Sequence, residues 1–416
     1  MSAAAITDAS APAAPVTFTG RNGVFRRLVT RGALLELLTF GFYRFWLTTD
    51  IRRHLWSRTE IDGDALEYTG RGKELLFGFL IAIAVLAPVF LLNFLIGLEI
   101  ERFKAFASLP LYVFLLAFGQ FAAYRARRYR LTRTVWRGVR FWMTGSGWSY
   151  AWRSIIWGLM LLPTLGFAYP WRAAALERYK LGHTLYGNLP GRFEATGWEL
   201  FKRVWWVWLL GLLSLLLLVG GFAAISITAG HANRPPTFHT SPPYAVNAAA
   251  GFAMPLGGVL LIGLPFLHAI RRAREWGWWA EGNRFGSGAV ACHLRTGSLI
   301  GVYWSLIGIG LLVLASFVAV AAGLTALLHF RASAGGLSAM SLQLPVWGFP
   351  AYAATYLALL VALGALARIY TLQRVWRRVT ASCVVINIGG ASNVGAAGDV
   401  VSAFGEGLAD GLDFGL

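Results

Sequence analysis

The sequence predicts an all-α polytopic membrane protein: six transmembrane helices in three hairpins, plus two short cytoplasmic-side re-entrant or interfacial segments, with internal repeats. Three observations lead there. Long apolar runs carry no charge, basic residues collect on one side of those runs, and one aromatic octapeptide occurs twice.

The chain has 416 residues, 57% of them hydrophobic and 13% charged, where soluble domains carry ~25% charged residues. A helix needs ~20 apolar residues to cross the hydrocarbon core. Six runs are candidates: Leu75–Leu98, Ala107–Ala123, Val204–Gly230, Asn247–Leu267, Ser298–Leu328 and Leu344–Ala367. The net charge is +18. With these runs as spans, Arg102, Lys104, Arg234 and Arg331 lie on one side and the other 33 of 37 basic residues on the opposite side. Cytoplasmic loops are the basic ones, so both termini are expected in the cytoplasm, with the charge facing anionic headgroups. That distribution argues against a nucleic-acid partner.

In chain order, residues 1–17 are small, polar and Pro-bearing, and lack the basic start and apolar core of a secretory signal. They are expected to form a disordered tail. Residues 18–143 form a first repeat with a short aromatic segment, a transmembrane hairpin and the basic stretch from Tyr124. Residues 144–297 form a second, ending in the basic stretch from Arg271. Residues 298–378 hold the third hairpin and the arginines from Arg374, and residues 379–416 a Gly-rich acidic tail.

The repeats rest on register. "TFGFYRFW" at Thr39 and "TLGFAYPW" at Thr164 are 125 residues apart, and the same offset relates Thr19 to Thr144, Arg53 to Arg178 and Thr59 to Thr184. A Thr-Gly pair recurs at Thr19, Thr69, Thr144, Thr196 and Thr296. Glycine there supplies a turn, and three of the pairs precede long spans. The octapeptides cannot simply cross. Arg31 and Arg44 bracket 12 residues, a helix of ~18 Å against a ~30 Å core. The second copy is broken by Pro163, Gly166 and Pro170. Both copies read as re-entrant or interfacial segments. The residues singled out are Thr39, Gly41, Tyr43, Trp46, Thr164, Gly166, Tyr169 and Trp171.

These motifs resemble the family of bacterial inner-membrane proteins of unknown function typified by YjgN. The resemblance is carried by "FTGRNGVF" at Phe18, the two octapeptides, "LEYTGRGKELLFGF" at Leu66, "FEATGWELF" at Phe193 and the acidic ending from Gly405. One departure is at Ala168-Tyr169, where the family's Tyr is displaced by one place. The resemblance implies an inner-membrane location and no established activity.

No metalloprotease, paired Cys-x-x-Cys or nucleophile-elbow pattern occurs, and "GRGK" at Gly70 lacks the spacing of a phosphate loop. No catalytic set, metal site or cofactor is expected, and an enzyme is the least supported class. Cys292 and Cys383 read as ordinary reduced thiols. The histidines, including His54, His183, His231, His239 and His329, show no ligand spacing. Ionisable residues inside spans are where transport shows, which singles out Glu36, Glu74 and Glu199. Glu74 and Glu199 suit helix first turns, and Glu36 reads as a lone carboxylate facing headgroups. Arg52, Arg53, Arg127, Arg128 and Arg178 are the candidate headgroup contacts. Two functions compete: transport or a channel for some solute, and a non-enzymatic membrane-organising, lipid- or partner-binding role. Self-association is compatible with either.

Overall fold

The computed structural model describes residues 13–99, 109–232, 244–334, 349–391 and 394–397. Arg102, Lys104, Arg234, His239 and the acidic residues Asp399, Glu406, Asp410 and Asp413 lie outside these. Six helices are long and apolar enough to cross a membrane, over Gly72–Ile96, Leu109–Thr132, Gly197–Ser226, Gly251–Gly282, Gly297–Val320 and Ala353–Thr380.

The chain alternates helical hairpins with short strands. Strand β1 (Ala13–Phe18) leads into α1 (Asn22–Leu38) and α2 (Arg44–Ser57). Strands β2 (Thr59–Ile61), β3 (Asp64–Ala65) and β4 (Glu67–Tyr68) precede α3 (Gly72–Glu99) and α4 (Leu109–Thr132). Strands β5 (Thr134–Trp136) and β6 (Val139–Met143) precede α5 (Gly147–Leu161) and α6 (Tyr169–Gly182). Strands β7 (Thr184–Tyr186) and β8 (Leu189–Phe193) precede α7 (Gly197–Ala232) and α8 (Tyr244–Gly282). Last come β9 (Asn283–Phe285), β10 (Gly288–Cys292), α9 (Gly297–Ala334), α10 (Phe349–Ala367), a π turn (Arg368–Leu372), α11 (Gln373–Thr380) and β11 (Cys383–Ile386).

The strands form one antiparallel sheet in the order β3-β2-β1-β11-β10-β9-β8-β7-β6-β5-β4. Its two ends, β3 and β4, are separated only by Leu66, so the sheet returns on itself like a barrel. The pairing follows one rule. Each return strand first pairs with the strand before its turn and then with the strand of the next hairpin: in β6, Arg140 faces Val135 of β5, and Met143 faces Thr184 of β7. Two-residue turns with glycine at positive φ make this possible, as at Asp62-Gly63 and Arg137-Gly138. The fifth pair is assembled from distant chain: β1 faces β11, then β2.

An all-α fold was therefore an incomplete expectation. Strands of two to six residues are too short to show a period of two. Strand β1 also takes up Ala13–Thr17 of the expected tail. The basic stretches expected between elements are helical, with Tyr124–Thr132 in α4 and Arg271–Arg274 in α8.

The helices pack in chain order. Each of α1 to α9 packs against the next, and α10 packs against α1. Buried residues lie in separate clusters within this wall. Phe25, Val29 and Ala33 of α1 meet Leu47, Ile51 and Leu55 of α2, with Ala365 of α10; the spacing of four puts each trio on one helix face. Other clusters join α2, α3 and α4 through Phe45, Leu75 and Tyr129, and α6, α7 and α8 through Leu181, Leu200 and Trp278.

Candidate functional site

Five equivalent corners join the strands to the helices. In each, the residue after the return strand donates its N–H to the carbonyl just before the next strand: Thr19 to Arg58 at 2.9 Å, Thr69 to Arg133 at 2.9 Å, Thr144 to His183 at 2.8 Å, Glu194 to Gly282 at 3.0 Å and His293 to Ser382 at 2.8 Å. Four corners open with a side chain that seals the preceding helix. The hydroxyls of Thr59, Thr134 and Thr184 and the amide of Asn283 donate to carbonyls four residues back, at 2.8–2.9 Å. These satisfy helix-end carbonyls that otherwise have no partner.

Between corners, the two octapeptides form the tips of the short hairpins, α1/α2 and α5/α6. Both tips make the same bonds. Gly41 N–H donates to Glu36 O at 2.7 Å and Gly166 N–H to Leu161 O at 2.8 Å, a Schellman closure. Phe40 and Leu165 hold φ of 51° and 48°, and Gly41 and Gly166 hold 92° and 86°. The Thr39 hydroxyl donates to Leu35 O and accepts from Tyr43 N; that of Thr164 donates to Met160 O and accepts from Ala168 N. Each threonine thus ends one helix and starts the next. The 17 residues of α1 and 15 of α5 give lengths of ~25 and ~22 Å, shorter than the ~30 Å core. The tips are apolar and outward: Leu38 is 75% exposed, Phe40 80% and Leu162 72%.

Trp46 and Trp171 explain a pair of glycines. A Cβ on Gly72 would stand 2.9 Å from Trp46 Cα, and one on Gly197 2.7 Å from Trp171 Cα. Helices α2 and α6 thus press their backbones onto the first residue of α3 and α7. Tyr43 stacks on Trp46. Tyr169 donates to Glu275 of α8.

Glu36 corrects its expected role. It is not a lone headgroup-facing carboxylate: it is buried and pairs with Arg368 at 3.0 Å. Arg368 begins the π turn that joins α10 to α11. Such turns break the regular ladder and often mark functional positions. The sequence missed this partner, because 332 residues separate the two. The second short hairpin is tied differently: Ser154 donates to Gln120 of α4 at 2.9 Å, and Arg172 donates to Ser154 at 3.0 Å.

Glu74 accepts from Tyr129 and pairs with Arg133, both at 2.7 Å. Glu199 forms a capping box with Thr196, two reciprocal bonds of 3.3 Å. Of the arginines, Arg52 is 1% exposed and reaches Tyr68, so it holds a corner together and does not face a headgroup. Arg53 and Arg178 are exposed, and each donates at 3.3 Å to an elbow carbonyl, Gly70 O and Ala195 O. Arg127 lies 3.9 Å from Glu177, and Arg128 keeps a buried Nε without a hydrogen-bond partner. Glu177, also bonded by Lys180 and by Trp279 Nε1, ties three helices. Burial alone would raise its pKa, but Lys180 and Arg127 outweigh it and hold the carboxyl below its ordinary value. Burial pushes the Lys180 pKa down, against the pull of Glu177.

His54 rests against the Phe25 ring, and burial, then Arg58, lowers its pKa. The described residues contain no group of side chains able to hold a metal ion. The tail meets the sheet at Gly395, whose N–H donates to Asn188 Oδ1.

Residues 13–411 match the family described as bacterial protein of unknown function (DUF898). Comparison with curated proteins and with solved structures found no match.

Proposed function

The chain belongs to a bacterial family of unknown function, DUF898, and we propose that it is a multi-pass inner-membrane protein providing a passive path for small solutes, anions above all. The carrying observation is the wall. Ten helical columns pack in chain order and close between α10 and α1. At the usual ~9 Å axis spacing, ten columns trace a ring wider than one helix fills, and the buried clusters lie within the wall. The strand end of that wall is rich in arginine, and rings of Arg or Lys favour anions.

The same reading fixes orientation. Basic ends belong in the cytoplasm, so the strand ring and both ends of the described chain face it. The short hairpins then re-enter to partial depth, since their exposed apolar tips suit hydrocarbon. Broken, half-length elements line the sites of many carriers. The matching bonds of the two tips support an internal duplication at the 125-residue offset.

A second reading, lipid or partner binding, is favoured by exposed Arg53 and Arg178, about two turns along α2 and α6 from Trp46 and Trp171. Proteoliposomes discriminate. A chloride leak exceeding that of potassium, and absent from protein-free vesicles, supports a path. Tight vesicles, with recruitment of the detergent-solubilised protein that rises with anionic lipid, would leave the second reading.

A further inference from the structure

At every corner the last residue of one strand stands opposite the first residue of the next: Phe18 faces Thr59, Tyr68 faces Thr134, Met143 faces Thr184, Phe193 faces Asn283 and Cys292 faces Cys383. The hydrogen bond just beyond each pair, from His293 N–H to Ser382 O in the last, identifies a non-hydrogen-bonded position. Facing Cα atoms there lie ~4.5 Å apart, inside the ~4.4–6.8 Å range that a disulfide bridges. Four corners fill the position with aromatic, Met, Thr or Asn side chains, so the corner itself does not demand cysteine. In the fifth, Cys383 Sγ donates to Cys292 Sγ at 3.0 Å, and Ser382 Oγ lies 3.2 Å from Cys292 Sγ. Both thiols are free and buried.

We infer that Cys292 and Cys383 form a reversible thiol–disulfide site whose oxidised state staples β11 to β10, beside the seam where the two ends of the chain close the strand ring. The chemistry is prepared. The hydrogen bond from Cys383, with help from Ser382 and the Leu294 amide and against burial, holds the Cys292 thiol below its ordinary pKa. Donating that bond pushes Cys383 up, with burial adding to it. Cys292 is therefore the attacking thiolate and Cys383 the resolving thiol.

With hydrogen peroxide as oxidant, the Cys292 thiolate attacks one peroxide oxygen. The O–O bond breaks, a sulfenic acid forms and the departing hydroxide leaves as water after taking a proton. Cys383 sulfur then attacks Cys292 sulfur. The S–O bond breaks, the S–S bond forms and the hydroxyl leaves with the Cys383 proton as a second water. The two thiols lose two electrons and the peroxide gains them. A dithiol reductant reverses the bond. In a reducing compartment the resting form is the dithiol, and the disulfide is the response to oxidant.

The test uses the full chain in detergent, fully reduced, then exposed briefly to hydrogen peroxide. After denaturation, free thiols are counted with a mass-tagged maleimide. The reduced chain takes two tags, since it has two cysteines. The inference expects none after oxidation, two again after dithiothreitol, and a peptide pair joining Cys292 to Cys383 that is lighter by two hydrogens. Two tags retained after oxidation would overturn it. So would tag loss that dithiothreitol does not restore, which marks over-oxidation of separate sulfurs. Cys383→Ser serves as the second variant: it stops at the Cys292 sulfenic acid, heavier by one oxygen, and must not yield a species lighter by two hydrogens within one chain.

Discussion

Glu36 of α1 and Arg368 at the α10–α11 junction are joined at 3.0 Å, with side chains 10% and 18% exposed. Helix α1 carries Glu36 about 21 Å from its strand-side start, so this charge pair lies far from the strand ring. It couples a short hairpin to a long one at the only π turn among the described residues.

Removing one partner of such a pair strands a charge and costs ~3–5 kcal/mol, whereas an apolar replacement of both is often neutral. Glu36→Leu is expected to lower the melting temperature in detergent markedly, and Glu36→Leu with Arg368→Leu to recover most of the loss. Equal losses in the single and double variants would show that the pair is not coupled.

The glycine contacts give a second expectation. Gly72→Ala and Gly197→Ala each place a methyl against backbone that no rotamer change can move, at an overpacking cost of ~1–3 kcal/mol. Gly23→Ala, which meets nothing within 4 Å, is the control and is expected to be neutral or slightly stabilising on its α1 helix. Thermal unfolding of the three variants checks the ranking.

The two tips predict responses of the same sign, with Gly166 the more sensitive because a Cβ there would also stand 3.2 Å from the Trp208 ring. Gly41→Ala and Gly166→Ala force a Cβ into left-handed backbone at ~1 kcal/mol each. Phe40→Gly relieves a strained φ of 51° and recovers a similar amount, less what its exposed ring contributes in lipid. Proteolysis rates at the tip in detergent report the changes.

Glu177 sets a pH dependence. Its folded pKa lies below the ordinary 4.5. The stability it contributes is therefore complete above that value and is lost as pH falls through the lower folded value. Glu177→Gln is expected to lower the melting temperature at neutral pH and to converge on the unaltered protein in acid. Parallel curves would mean that the carboxylate contributes nothing through its charge.

Much of this was legible in the sequence. The apolar runs located six long helices, because length and hydropathy decide a span locally. The octapeptides marked both tips, since Gly41 and Gly166 carry a local backbone requirement. Glu199 was legible as a first-turn carboxylate, but its reciprocal cap with Thr196 was not read. The partner of Glu36 was not legible, nor was the strand ring. Arg368 is remote in the chain, and β3 and β4 have two residues each, so neither leaves a periodic trace. Arg52 misled for a related reason: charge type shows which side of a membrane a residue prefers, but only packing shows that it turns inward to Tyr68.

The pairing of β1 with β11 has a consequence for biogenesis. Ala13 faces Ile386, so β1 emerges from the ribosome some 370 residues before its partner. At ~5–20 residues per second that is a wait of ~20–70 s. During it, one edge of β1 stays unpaired, and exposed edges invite foreign strands. β1 can meet β2 early through Phe18 and Thr59, which leaves only the Ala13–Pro15 half waiting. A nascent chain halted before Cys383 would hold every long helix among the described residues and still present that open edge.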